Sequence, residues 1–147
     1  MTTPCNVPKG PCSTCPYAKA TPSQAANEEY DKLPEYDRET WAQPSSLFLC
    51  HHSPTLPSDT VCFGWLVVHG DEALGLRLAM ATGSIDGKAA AEAHNGADRS
   101  QFYKSGTEAA KSGMEAIEIP SADAIQAVRT LAKRRMRKAM KRKARAR

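Results

Sequence analysis

Four cysteines carry the chemistry open to this sequence. Cys12 and Cys15 stand in PCSTCP with two residues between them, a spacing that lets two thiolates of one turn grip one tetrahedral ion. Cys50 ends the apolar run LFLC and is followed by His51 and His52, and Cys62 opens the next apolar run, CFGWLVV. The Pro- and Ser-rich loop between them is long enough to bring both sulfurs to one point. Zinc accepts four cysteines, or three and a histidine. Cys12, Cys15, Cys50 and Cys62 are therefore the expected metal ligands, with His51 or His52 as the alternative fourth donor.

An iron–sulfur cluster also takes four thiolates, and Cys15-Pro16 matches the dipeptide that closes ferredoxin cysteine runs. The dense run that accompanies that dipeptide is missing here, which favours zinc. The competing explanation is four separate buried thiols, since free cysteine is among the most buried residue types. Several Cys and His gathered near a CxxC weigh against it. A thioredoxin-like redox pair is disfavoured because no strand precedes Cys12 and Pro11 and Pro16 bracket the motif. Cys5 reads as a bystander.

Little else points to catalysis. Cys50 and His52 lack an orienting third group for nucleophile and base. No nucleophile elbow, phosphate-binding glycine loop or HExxH motif occurs. His69, at an expected helix end, reads as a capping or surface residue, and His94 is isolated. No residue is nominated as catalytic, and the expectation is a non-enzymatic protein.

Charge supplies the second signal. The net charge of +4 hides an asymmetry: eleven of the 20 Lys and Arg lie from residue 129 onward, and all sixteen acids lie before it. The first 128 residues thus carry a net −7. The cations are Arg129, Lys133, Arg134, Arg135, Arg137, Lys138, Lys141, Arg142, Lys143, Arg145 and Arg147. Such a segment suits a polyanion, each phosphate contact releasing condensed counterions. It holds no aromatic residue, so stacking on unpaired bases is not its mode. Duplex DNA or structured RNA, held by its backbone, is the expected partner. A membrane surface fits less well, because Met136 and Met140 are the only large apolar residues of the last turns. A solvated tail folded back on the acidic body is the bland alternative.

The elements that must position these residues follow from pattern. The expected fold class is a small, mainly helical α+β domain. Residues 1–119 form a Cys-motif metal-binding domain with its core at about 11–83, and residues 120–147 a basic amphipathic helix. Residues 1–27 read as irregular. Tyr30, Leu33, Tyr36 and Trp41 are spaced for a partly buried short helix broken by Pro34, and Ser46–Cys50 for a strand. A helix is expected from Asp59 to Val68, ended by Gly70, and another over 72–82, ended by Gly83. An Ala-rich helix near Lys88–His94 should lead into a loosely ordered connection up to residue 114. A last helix runs from about Ala122 into the 140s, with Ser121 as N-cap and Asp123 in its first turn.

A modest core such as 41% hydrophobic content allows often needs a staple, which a metal supplies. No stretch approaches the roughly 20 apolar residues of a membrane span. MTTPCNVPKG has no apolar signal core, so a cytoplasmic location with reduced thiols is expected. Five cysteines, an odd number, also fit a disulfide framework poorly.

One combination of motifs resembles a known group. PCxxCPY, an apolar run ending in CHH, CxGW and a following LRLA…TG are carried here by Pro11, Cys12, Cys15, Pro16, Tyr17, Cys50, His51, Cys62, Gly64, Trp65, Leu76 to Ala79 and Gly83. Together they resemble a family of small uncharacterised proteins of actinobacteria and their bacteriophages. The resemblance covers residues 11–83 and implies no established activity; the basic segment lies outside it. The expected function is a non-enzymatic metal-binding accessory protein, with zinc the favoured ion, associated with nucleic acid. The alternatives are an iron–sulfur redox or sensor protein, and a module that engages a host protein through Tyr30, Tyr36 and Trp41.

Overall fold

The computed structural model describes residues 3–21, 30–118 and 122–146, and these are mainly helical. The described residues include five α-helices: α1 (Phe63–His69), α2 (Leu74–Ala81), α3 (Gly87–Gly96), α4 (Gly106–Glu118) and α5 (Ala122–Arg145). A tighter 3₁₀ segment, Tyr30–Asp37, precedes them. Extended pairing among the described residues amounts to isolated bridges, Cys5 with Ile85, Asn6 with Thr60, Ala18 with Phe102, and Leu49 with Val61. The strand expected at Ser46–Cys50 is thus one bridge long. Its backbone still ties two loops together, through Cys50 N–H to Thr60 O (2.7 Å) and Cys62 N–H to Phe48 O (2.8 Å).

α1 is apolar on nearly every side, the pattern of a helix sunk in a core, and only Val68 of its seven residues escapes full burial. It starts at Phe63 rather than Asp59. Thr60 and Val61 are β-branched and extended, each held in a bridge, so the helix begins only after Cys62. Around it lies an aromatic cluster. The Tyr36 ring meets Phe48 at 5.5 Å and Trp65 at 5.7 Å, and Tyr17 meets Phe48 at 6.2 Å, all edge-to-face. Such pairs add about 0.5–1.5 kcal/mol each beyond area burial. α2 and α3 fall where composition places them, α3 with Asp86 accepting from the amides of Lys88 and Ala89. α2 closes onto Gly83, whose φ of +72° suits glycine.

The 3₁₀ segment runs through Pro34 instead of breaking there. Tyr30, Leu33 and Tyr36 recur every third residue, which aligns them on one face of a helix with three residues per turn. Trp41, expected to join them, is 81% exposed. Against that face packs α4, in a region expected to be loosely ordered. Its contact surface is Ala109, Ala110 and Gly113, and a Cβ on Gly113 would stand 2.2 Å from the Tyr30 ring. Asp37 caps α4 from the far end of the 3₁₀ segment, accepting from Gly106 N–H (2.8 Å) and Thr107 N–H (2.6 Å).

α5 is 24 residues long, about 36 Å at 1.5 Å per residue. Its described side chains are exposed except that of Thr130, which is half-buried. Asp123 lies in the first turn and Arg142, Lys143 and Arg145 in the last, the arrangement the helix dipole favours. Ser121 and Arg147 lie outside the described residues. Among the described residues no helix is long and apolar enough to cross a membrane.

Candidate metal centre

Three loops converge on one cavity. The CSTC segment is a tight turn, with Cys15 N–H donating to Cys12 O (3.2 Å) and Ala18 N–H to Cys15 O (3.2 Å). Thr21 braces it by donating its hydroxyl to Cys15 O at 2.8 Å. Cys50 follows the Leu49 bridge directly, and Cys62 is the residue before α1. Cys12, Cys15, Cys50 and Cys62 all line a cavity of about 250 Å³, together with His52, Val61 and Phe63. Cys5 stands apart, its amide bonded to Ser84 O at 2.8 Å.

The donors are graded in depth. Cys15 and Cys62 are buried, Cys12 and Cys50 half-buried, and His51 exposed. The donor atoms of Cys12, Cys50 and His51 lie within 4.8 Å of one another, and this group could hold a metal ion. Cys15 and Cys62 line the same cavity more deeply. Four soft sulfurs with imidazole alongside match zinc, copper(I) or iron–sulfur chemistry rather than calcium or magnesium.

Thr14, which sequence reading passed over, and Gly64, read only as part of the CxGW motif, shape this site. The Thr14 hydroxyl, inside the CxxC turn, contacts Nε2 of His51 and stands 3.2 Å from Nε2 of His52. It links the turn to both imidazoles, whose rings lie 4.3 Å apart. Gly64 is the second. A Cβ there would come within 2.6 Å of Cys15 Sγ and 2.6 Å of Tyr17 Cβ, so only glycine lets α1 lie this close to the turn. The CxGW spacing was its visible trace.

Without a cation Cys12 and Cys62 suit their surroundings poorly as anions, whereas Cys15 is favoured as one. Burial, then the neighbouring sulfurs of Cys50 and Cys15, raise the Cys12 thiol to about 11. The hydrogen bond from Cys62 is the largest influence on Cys15, bringing it down to about 7, and the same bond together with burial drives Cys62 upward. Among the described residues no Lys, Arg, Asp or Glu lines the cavity. A metal cation would invert this balance by stabilising each thiolate directly.

A protein-family model described as a family of unknown function (DUF6283) matches residues 7–135. The chain belongs to DUF6283. That span includes the four cavity cysteines, both neighbouring histidines and α5 as far as Arg135, so the DUF6283 match reaches well beyond the 11–83 motif region. No curated protein and no solved structure matches the chain.

Outside the cavity, two histidines of this DUF6283 protein are more buried than their sequence context implied. His69 is not a surface cap. It packs 5.5 Å from the Tyr17 ring, with Nε2 3.9 Å from Asp37 Oδ1. Burial holds its imidazole down to about 4 against the opposing pull of Asp37. His94 donates Nδ1–H to Leu66 O at 2.8 Å and places Nε2 3.0 Å from Asp71. Tyr30 and Tyr36 are core residues, which leaves Trp41 alone of the aromatic trio on the surface. The cations from Arg129 to Arg145 share α5, all exposed.

Proposed function

We propose that this DUF6283 protein is a non-enzymatic accessory protein whose body is stapled by a thiolate-held metal centre and whose α5 grips the phosphate backbone of duplex DNA or structured RNA. The observation that carries the reading is the surface of α5. Ten Lys and Arg between residues 129 and 145, with no acid among them, stand exposed on one helix. Duplex DNA presents one negative charge per about 1.7 Å of axis, so a rod of this length faces more phosphates than it has cations. The metal half rests on Cys12, Cys15, Cys50 and Cys62 lining one cavity, with His51 or His52 as a further donor. Zinc is the ion favoured by residue types alone. The motif resemblance to actinobacterial and bacteriophage proteins would put such a protein in a bacterial cytoplasm.

Fluorescence anisotropy with a labelled, arbitrary-sequence duplex between 50 and 200 mM salt tests the nucleic-acid half. With about five phosphate contacts, log K should fall with log salt at a slope near −4 to −5. Deleting residues 129–147 should remove both affinity and slope. Unchanged affinity after the deletion would sink the reading. One observation favours a second one: Trp41, 81% exposed, stands beside Asp37, Arg38 and Glu39 as an anchor for a host protein. Trp41→Ala would abolish that contact and leave duplex binding untouched.

A further inference from the structure

The geometry points to a polynuclear iron–sulfur cluster, rather than a single ion, as the guest of the four-cysteine cavity; this rests on the metal-centre reading above. A lone zinc held by four sulfurs at about 2.3 Å forces every sulfur–sulfur edge to about 3.8 Å, so any three of them would lie within 4.8 Å. No three of these four sulfurs do. The one group of three donors at that range among the described residues is Cys12, Cys50 and His51. The sulfurs are instead graded in depth around the same space, Cys12 and Cys50 half-buried and Cys15 and Cys62 buried.

That space is large and apolar. Its volume of about 250 Å³ far exceeds the ~15 Å³ that one water-sized guest occupies. Pro8, Leu56, Val61 and Phe63 supply most of its other walls, with Gly10, His52 and Thr60, and among the described residues no Lys, Arg, Asp or Glu lines it. A core of several iron and sulfide atoms binds thiolates at its corners and so holds them farther apart than one ion does. Four cysteines are the complement such a core takes. His51 and Thr14 then belong to the rim, where the turn meets the imidazoles.

The test is purification of the full chain without oxygen from cells supplied with both iron and zinc, followed by assays of iron, acid-labile sulfide and zinc and by an absorption spectrum. The expected result is roughly two to four irons with matching sulfide per chain and a broad visible absorbance. Cys50→Ser, at the half-exposed rim where folding is least disturbed, should lose most of the iron and colour. Cys5→Ser should keep both. One zinc per chain in a colourless protein overturns the cluster and leaves the metal-centre reading standing. A folded chain with neither metal nor sulfide overturns both.

Discussion

Replacing Gly64 with alanine tests the geometry that seats Cys15. The added Cβ would sit 2.6 Å from Cys15 Sγ and 2.6 Å from Tyr17 Cβ. Ordinary contact between such atoms begins near 3.5 Å, so the CSTC turn must retreat by about 1 Å. Overpacking of this kind costs about 1–3 kcal/mol, and the better helix propensity of alanine within α1 returns about 0.5–1 kcal/mol. The net loss is roughly 1–2 kcal/mol, which in a chain of this size lowers Tm by about 3–8 °C. Metal retention should fall further than stability does, by about 10–100-fold, because the displaced atom is itself a proposed ligand. The assay is metal content per chain and competition with a chelator, alongside thermal melts. Two further glycines calibrate it. Gly113→Ala strikes the Tyr30 ring, far along the chain from the cysteines, and should cost stability without costing metal. Gly96→Ala meets nothing within 4 Å and should be neutral or slightly stabilising. Should Gly64→Ala lose no more metal than Gly113→Ala, the claim that α1 positions Cys15 is refuted.

Further outcomes follow from other parts of the fold. His69 is held down to about 4, against about 6.5 when unfolded, so the unfolded chain takes up the proton first as pH falls. Stability should therefore drop by about 3 kcal/mol between pH 6.5 and 4, and urea midpoints for His69→Gln should lack that component. Asp37→Ala removes the cap on α4 and should cost about 1–2 kcal/mol, with hydrogen exchange accelerated first at Gly106 and Thr107. The like charges along α5 repel one another, so the circular-dichroism difference between the full chain and one ending at residue 128 should deepen with added salt or duplex. A flat salt response would show that repulsion does not strain this helix.

The cysteine cavity was legible because its signal lies in residue type and local spacing: a CxxC turn, a CHH and a CxGW can be read without knowing what packs on them. α5 was legible for the same reason, its charges and apolar residues following a local period. α4 was not. Its buried face is Ala109, Ala110 and Gly113, too small to register as a hydrophobic stripe, and its selecting partners, Tyr30 and Leu33, lie far upstream. His69 was misjudged because its surroundings are the Tyr17 and Tyr36 rings, contributed by two other segments. Trp41 erred the other way, a large aromatic left in solvent just past the end of a face that repeats every third residue. Position along the chain told which thiols would line one cavity; it did not tell which small residues would meet a ring.

The placement of Asp37 also fixes where this protein can be cut. A chain stopped after residue 105 keeps every cysteine yet loses the helix that roofs Tyr30 and Leu33, and it leaves Asp37 with no amides to receive. Such a fragment would expose a tyrosine–leucine seam and clump before it could be loaded. A chain stopped after Glu118 keeps that roof intact. Any minimal version made for metal work must therefore extend well past the last thiol.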